Sequence, residues 1–298
     1  MIRCWKSFLK KKMYKKTKLR NDLEFNKLMG NIIEVLRGVA VAQYFNLQSK
    51  VKSFDEYKMY MDNLFQMVNV DRFHHPFLET PASPNNFILI TSDTGFLGKL
   101  NVSVVKTALG QCGSNDQFTI LGKQGARYVG EHGLGHSFFP GIDDNISYSE
   151  VVKLRDHIIK EFLEKKLGGT VIIYPHFISF AVQKVQTFQV LPCRFLFPEA
   201  AKIKPSLSED PRVLIEPSIK KVVHYLVKAW IGQLLYLVFW ESKLSELAAR
   251  VRHLEKSTTE IRDESRKMKS KYFRLLRQIS DKNIREIFAS RLALEKSR

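Results

Sequence analysis

No proline follows Pro217 and no glycine follows Gly232 in a chain that runs to Arg298. A stretch so free of helix breakers, and so rich in Leu, Lys, Arg and Glu, predicts one helix over residues 218–296. At ~1.5 Å per residue such a helix would be ~120 Å long, longer than a compact domain of this size is wide, so it must reach beyond the domain it starts in. Its apolar residues recur in steps of three and four: Leu244, Leu247, Val251, Leu254, Thr258, Ile261, Ser265, Met268, Tyr272, Leu275 and Ile279. That spacing is a heptad seam and predicts a left-handed coiled coil. Thr258 and Ser265 interrupt the seam with hydroxyls, so the partner helix is not expected to be clamped equally along it.

A second seam near the amino terminus supplies a partner. Phe25, Leu28, Ile32, Val35, Val39 and Ala42 show the same spacing, and apolar positions continue through Leu47, Val51 and Phe54 to Leu64. Two long helices at opposite ends of one chain are most simply paired with each other, as an antiparallel coiled coil. Pro76, Pro81 and Pro84 close the first helix.

The middle of the chain has a different texture. Short apolar runs suited to buried strands occur at Phe87–Ser92, Phe118–Leu121, Thr170–Tyr174 and Val185–Leu191. Helical periodicity lies between them at 102–109 and 147–166, the latter with Val151, Leu154, Ile158 and Phe162 on one face. Strands alternating with helices predict a Rossmann-like α/β domain with a largely parallel sheet. The expected organisation is a basic extension at 1–20, a coiled-coil helix at 21–75, the α/β domain at 84–193, a proline-rich linker at 194–217 and the long helix at 218–296.

Charge is concentrated at the two ends. The chain's net charge is +18. Residues 1–21 hold nine Lys and Arg and no acid, residues 220–298 hold nineteen basic against nine acidic residues, and the span between is nearly neutral. Such ends call for an acidic partner. Nucleic acid is one candidate, yet no zinc-finger spacing, aromatic RNA-binding signature or recognition-helix motif accompanies the charge. Cys4, Cys112 and Cys193 lie far apart without metal spacing, which predicts neither a disulfide framework nor a zinc site. Val222–Trp240 is apolar enough to test as a membrane span. Lys228, His224 and Gln233 interrupt it, and a lysine alone costs ~2.5–3.5 kcal/mol at a bilayer centre. It is therefore expected to be a helix buried against the domain, not a span.

Candidate chemistry is sparse. The loop Ser92–Asn101 has glycines at 95 and 98 and a lysine at 99, but neither P-loop nor dinucleotide-fingerprint spacing; Asp93 is expected to cap the helix that follows. His132 and His136 are four apart with Gly133 and Gly135 between them, which disfavours the helix that metal binding at this spacing requires. No nucleophile elbow or acid pair is recognisable. No catalytic centre, cofactor site or metal site is expected.

Three segments resemble the gamma subunit of F-type ATP synthases, in that family's order. Ile90–Asn101 (ITSDTGFLGKLN) is similar to its strand-and-loop pattern SSDxGLCGGxN, and Ile172–Pro192 to its later strand pair. Glu241–Val251 (ESKLSELAARV) resembles ESxxSExxARM through Glu241, Ser242, Ser245, Glu246 and Arg250, and Leu276–Ile287 follows with an Arg-Gln pair at Arg277 and Gln278. The chain departs from the family in the first helix, where only Val35–Ala42 (VLRGVAVA) echoes the usual wording, and at Gly98-Lys99, where the family has two glycines.

The resemblance implies a rotor shaft: paired helices turning inside a hexamer of alpha and beta subunits, an α/β domain beside the epsilon subunit on the membrane c-subunit ring, and no catalytic site in this chain. It implies that Arg277 and Gln278 contact a catalytic-subunit loop and that the basic ends face acidic catalytic-subunit surface. It places the protein peripherally on an energy-transducing membrane, either the cytoplasmic side of a bacterial inner membrane or the matrix side of an organellar one. The alternatives are a gamma-like subunit of a related ATPase, a basic coiled-coil protein that binds nucleic acid, and a membrane-anchored adaptor.

Overall fold

The structure is a computed structural model that describes residues 2–49, 59–61, 63–65, 68, 74–79, 84–164, 167–197, 216 and 218–295, and side chains within the terminal helices from residue 13 to residue 291. It divides into two units, Ala40–Arg252 and the pair Met1–Val39 with His253–Arg298.

The first unit is a three-layer α/β domain. Its strands are β1 (Asn85–Ile90), β2 (Gln117–Leu121), β3 (His136–Phe139), β4 (Gly169–Phe177) and β5 (Gln183–Leu191). They form one sheet in the order β3-β2-β1-β4-β5. β1 pairs in parallel with β2 and β4, β2 in parallel with β3, and only β5 runs antiparallel, beside β4. The strand period of two sorts β1 between the faces. Phe87 and Leu89 pack with Val104, Val105 and Ala108 of α2 (Leu100–Leu109) and Val129 of α3 (Lys123–Gly130). Ile88 and Ile90 pack with Val151, Leu154 and Ile158 of α4 (Tyr148–Glu164) and with the first part of α5 (Ile219–Glu295).

Val222–Trp240 belongs to that second layer. This part of α5 is long and apolar enough to cross a membrane by length and composition. In the domain, Val223, Val227, Ile231, Leu235, Val238, Phe239 and Trp240 are buried in the core, and Lys228 pairs with Asp156 at 3.2 Å at the margin. Gly232 has a packing reason: a Cβ there would lie 2.9 Å from the Tyr148 hydroxyl.

Two elements differ from the sequence expectation. β3 and α3 fill the stretch between residues 123 and 139, where no element was predicted. Gly125 makes α3 a poor helix by propensity, yet it is needed, because a Cβ there would lie 2.3 Å from Thr91 Oγ1. The expected linker, 194–217, is described only at a short 3-10 turn, Arg194–Leu196, and its flanking residues; the remainder lies outside the described residues.

The second unit pairs α1 (Ile2–Gln48) with the later part of α5. α1 runs through residue 20 without interruption, so the basic run and the start of the expected coiled-coil helix are one element. Val51 and Phe54 lie outside the described residues. The helices are antiparallel: Asn26 Nδ2 lies 3.7 Å from Met268 Sδ, Gly30 faces Ile261, and Arg37 pairs with Glu255. On α5 the side chains turned inward are Leu254, Thr258 and Leu275, all buried, with Ile261, Ser265, Met268, Tyr272 and Ile279 half-buried; Val251, also buried, belongs to the first unit.

On α1 the expected seam is a correction. Phe25, Leu28, Ile32, Val35 and Val39 are 59, 60, 50, 67 and 51% exposed, and Ala42 is exposed as well. The inward face is instead Leu23, Asn26, Gly30, Ile33 and Arg37. Small and amphipathic residues let α1 approach α5 there, and the Arg37 stem packs while its charge reaches Glu255. The apolar ridge is thus turned away from α5.

Candidate coupling site

The crevice outside the carboxyl ends of the parallel strands is where an open α/β sheet receives a ligand, above all where the strand order reverses. Here that reversal lies between β1 and β4, and the crevice holds one turn after another of α5. Four charged side chains of α5 enter separate loops. Glu241 Oε2 lies 2.6 Å from Nδ1 of His176 near the end of β4. Lys243 Nζ donates to the Ile142 carbonyl at 3.0 Å and pairs with Asp144 at 2.9 Å, both beyond β3. Arg250 donates to Thr94 Oγ1, beyond β1, and to Glu246. Arg252 donates to the Ala181 carbonyl and, at 2.7 Å, to Gln183 Oε1 in the β4–β5 hairpin.

The loops are also tied to one another. Asp93 Oδ1 accepts the backbone N–H of Lys123 at 2.9 Å and its Oδ2 accepts that of Gly141 at 3.1 Å. Asp93 was expected to cap the helix that follows it; it binds the first residue of α3 instead, because the loop doubles back over the strand ends. Thr91 Oγ1 donates to the Leu121 carbonyl at 2.6 Å and accepts Gly125 N–H at 3.0 Å. Ser92 and Asn101 bind each other, with Asn101 Nδ2 donating to Ser92 Oγ at 2.8 Å. Gly141 must lack a side chain, since a Cβ would lie 2.9 Å from Asp93 Cγ.

The α5 side of this network is largely buried, whereas Asp144 is about half exposed and Thr94 is exposed. The side chains of Lys243, Glu246 and Arg250 are only 7, 10 and 15% exposed. Burial raises the Glu246 carboxyl above the ordinary carboxylate range, opposed by the cations of Lys243 and Arg250. The phenol of Tyr174 is held above its usual range, by burial first and by the neighbouring Glu241 second. Burial likewise pushes the Cys193 thiol up to about 12, an unreactive thiol.

The site residues singled out in the sequence fall into four groups. Glu241, Ser242, Glu246 and Arg250 come together in the crevice with the loop at 90–101 and the β4 segment, while Ser245 is fully buried. Leu244 and Leu247 lie in the adjoining core. Arg277 and Gln278 are exposed on α5 in the helix pair, away from that crevice in sequence. His132 lies in a turn and His136 opens β3, both exposed. Sequence reasoning missed Lys243, Asp144, Thr94, His176 and Arg252. The spacing of Lys243, Glu246 and Arg250 at i, i+3 and i+7, on one face of an otherwise apolar stretch, was the available signal.

Comparison with known proteins follows the same outline. The family described as ATP synthase matches residues 16–294. The ATP synthase gamma chain of Halothermothrix orenii is 26% identical over 271 residues, covering 89% of this chain and 93% of that one. That of Chlorobaculum tepidum is 26% identical over 293 residues, covering 93% and 98%. Among solved structures, a chain of the Euglena gracilis mitochondrial ATP synthase (OSCP/F1/c-ring, rotational state 3) aligns with a TM-score of 0.69 at 17% identity over 94% of both chains. A chain from the central stalk and c-ring of the Tetrahymena thermophila mitochondrial enzyme aligns at 0.57, with 18% identity, over 76% of this chain and 99% of that one.

Proposed function

The chain belongs to the gamma-chain family of ATP synthase, the enzyme's central rotor shaft, and on that premise we propose how its two units divide the work. The α1–α5 pair is the part enclosed by the alpha and beta subunits of the catalytic hexamer. The α/β domain is the part that meets the epsilon subunit and the c-subunit ring. The chain contributes no catalytic centre; it passes rotation driven by proton flow at the ring to the hexamer, whose subunits are biased in turn between open and closed states. The complex is membrane-associated, and this chain sits on it peripherally, on the cytoplasmic or matrix side, without spanning the bilayer.

The observation that carries this reading is α5 itself. Seventy-seven residues form one unbroken helix, bound by four charged side chains into the α/β domain and continuing as one strand of the helix pair. A transmission element needs that continuity. Its surface also suits turning among several similar partners. The exposed ridge Phe25, Leu28, Ile32, Val35 and Val39 offers non-directional contact, which has no fixed bonds to break on rotation. Lys269, Arg274 and Arg277 are exposed on α5, where single ion pairs are worth ~0–1 kcal/mol each, enough to bias a contact without arresting it. Arg277 and Gln278 are assigned to contact with a catalytic-subunit loop.

The test is co-purification. A tagged chain expressed in its own cells is expected to bring down an ATP-hydrolysing hexamer together with ring subunits. Recovery of nucleic acid, or of the chain alone in detergent-solubilised membrane, would replace this reading with one of the alternatives.

A further inference from the structure

We infer that the ligand crevice of the α/β domain has become a socket for the shaft, with Lys243, Glu246 and Arg250 as positioning residues that hold α5 against turning within the domain; this rests on the rotor reading. The first support is location. All three side chains stand at the carboxyl ends of the parallel strands, in the place where this fold would take a phosphate-bearing ligand. They leave too little room for one. Between Ser92, Asn101, Ser242 and Glu246 a space of only about 10 Å³ remains, while small-molecule sites are usually ~300–1,000 Å³.

A second cleft of about 420 Å³ opens beside it. Its rim carries Asp93, Asp143, Asp144 and Glu150, a sign of charge that repels phosphate. Neither space therefore suits a nucleotide, and the basic groups that could have bound one are spent on Asp144, Glu246 and Thr94.

The second support is leverage. The interdigitated apolar core resists rolling of α5 by shape, and the charged side chains add contacts that fix its angle against the loops. Charge-assisted hydrogen bonds have direction. Lys243 and Arg250 lie seven residues apart, two turns along one face of α5, and they grip loops that follow different strands. Asp93 then fastens the loop after β1 to the loop after β3. Rolling α5 would have to break bonds to both loops together.

The experiment uses the assembled, membrane-reconstituted complex. Thr94 and Arg250 are replaced by cysteine in a chain whose Cys4, Cys112 and Cys193 are alanine. The pair is bridged by a thiol-cleavable linker about as long as the arginine side chain, and the complex is assembled with the bridge in place. Cleaving the linker afterwards compares the same polypeptide in two states. On cleavage, protons pumped per ATP hydrolysed are expected to fall at least several-fold, the more so as the opposing gradient rises, while ATP hydrolysis continues within about two-fold. Arg250→Ala and Lys243→Met, where they assemble, should show the same ratio as the cleaved chain. An unchanged ratio on cleavage overturns the socket. So does a ratio that is low even with the bridge intact, which would mark these residues as merely structural. A native chain that never enters a rotary complex would instead overturn the rotor reading itself.

Discussion

Gly30 of α1 stands against Ile261 of α5, and a Cβ added to the glycine would meet Ile261 Cγ2 at 3.8 Å. That is ordinary van der Waals contact, so the glycine is not required for the approach of the helices. Its backbone entropy still weakens α1, by roughly 0.5–1 kcal/mol relative to alanine. Gly30→Ala should raise the stability of the helix pair by about that amount, read as an upward shift of its thermal transition in circular dichroism. A fall in stability would mean that the helices are closer in solution than the 3.8 Å contact allows.

The α5 seam should tolerate truncation better than charge. Leu254 is fully buried. Leu254→Ala should cost about 2–5 kcal/mol. Leu254→Asp leaves a carboxylate without a partner between the helices, a penalty of several kcal/mol or an opened pair. The expected readout is loss of ATP-driven proton pumping or of assembly. Lys269→Ala, on the exposed side, should retain most of both.

The ridge on α1 should matter to partners and not to the chain. Ile32→Ser with Val35→Ser removes two apolar side chains that do not face α5. Thermal stability of the free chain should stay within about 0.5 kcal/mol of the native value. Each side chain is worth up to ~1.5–3 kcal/mol where a partner fully covers it, so affinity for the hexamer should fall roughly tenfold or more. Unchanged assembly would leave the ridge without a role.

Acid should destabilise the α/β domain through His75. The ring is buried and its Nδ1 accepts Phe77 N–H at 3.2 Å, which requires the neutral form. Its pKa is lowered by burial first, and then by His224 and Lys220, against the opposing Glu79. The unfolded chain therefore takes up the proton before the folded one does. Stability is fully present above the ordinary histidine value of ~6.5 and is lost as pH falls below it toward the depressed value. Melting the full chain across pH 5–8 should show this slope, and His75→Gln should flatten it.

The two long helices were not equally legible. On α5 the apolar set and the exposed set separate cleanly: Leu254 and Thr258 face inward while Arg262, Arg266 and Lys269 face out. On α1 the largest apolar residues face outward, so a rule that equates apolar with inward selects the wrong side. The weaker-looking face, with Asn26, Gly30 and Arg37, is the one that pairs with α5. In the sheet, β3 escaped notice because His136–Phe139 is a half-exposed edge strand of four residues without a buried apolar run. The motif at 241–250 was visible through resemblance, but its partners were not. Thr94, Asp144 and His176 come from separate loops, and only the tertiary fold brings them to α5.

The ion pair between Arg37 and Glu255 joins residues 218 positions apart. During synthesis at ~5–20 residues per second, α1 leaves the ribosome roughly ten to forty seconds before the residues it pairs with exist. Throughout that interval both its pairing face and its outer ridge lie open to other apolar surfaces, including those of neighbouring nascent chains. The α/β domain can close meanwhile only as far as Leu191, since its second layer also waits for α5. Because α5 contributes to both units, neither reaches its full packing until α5 has been made.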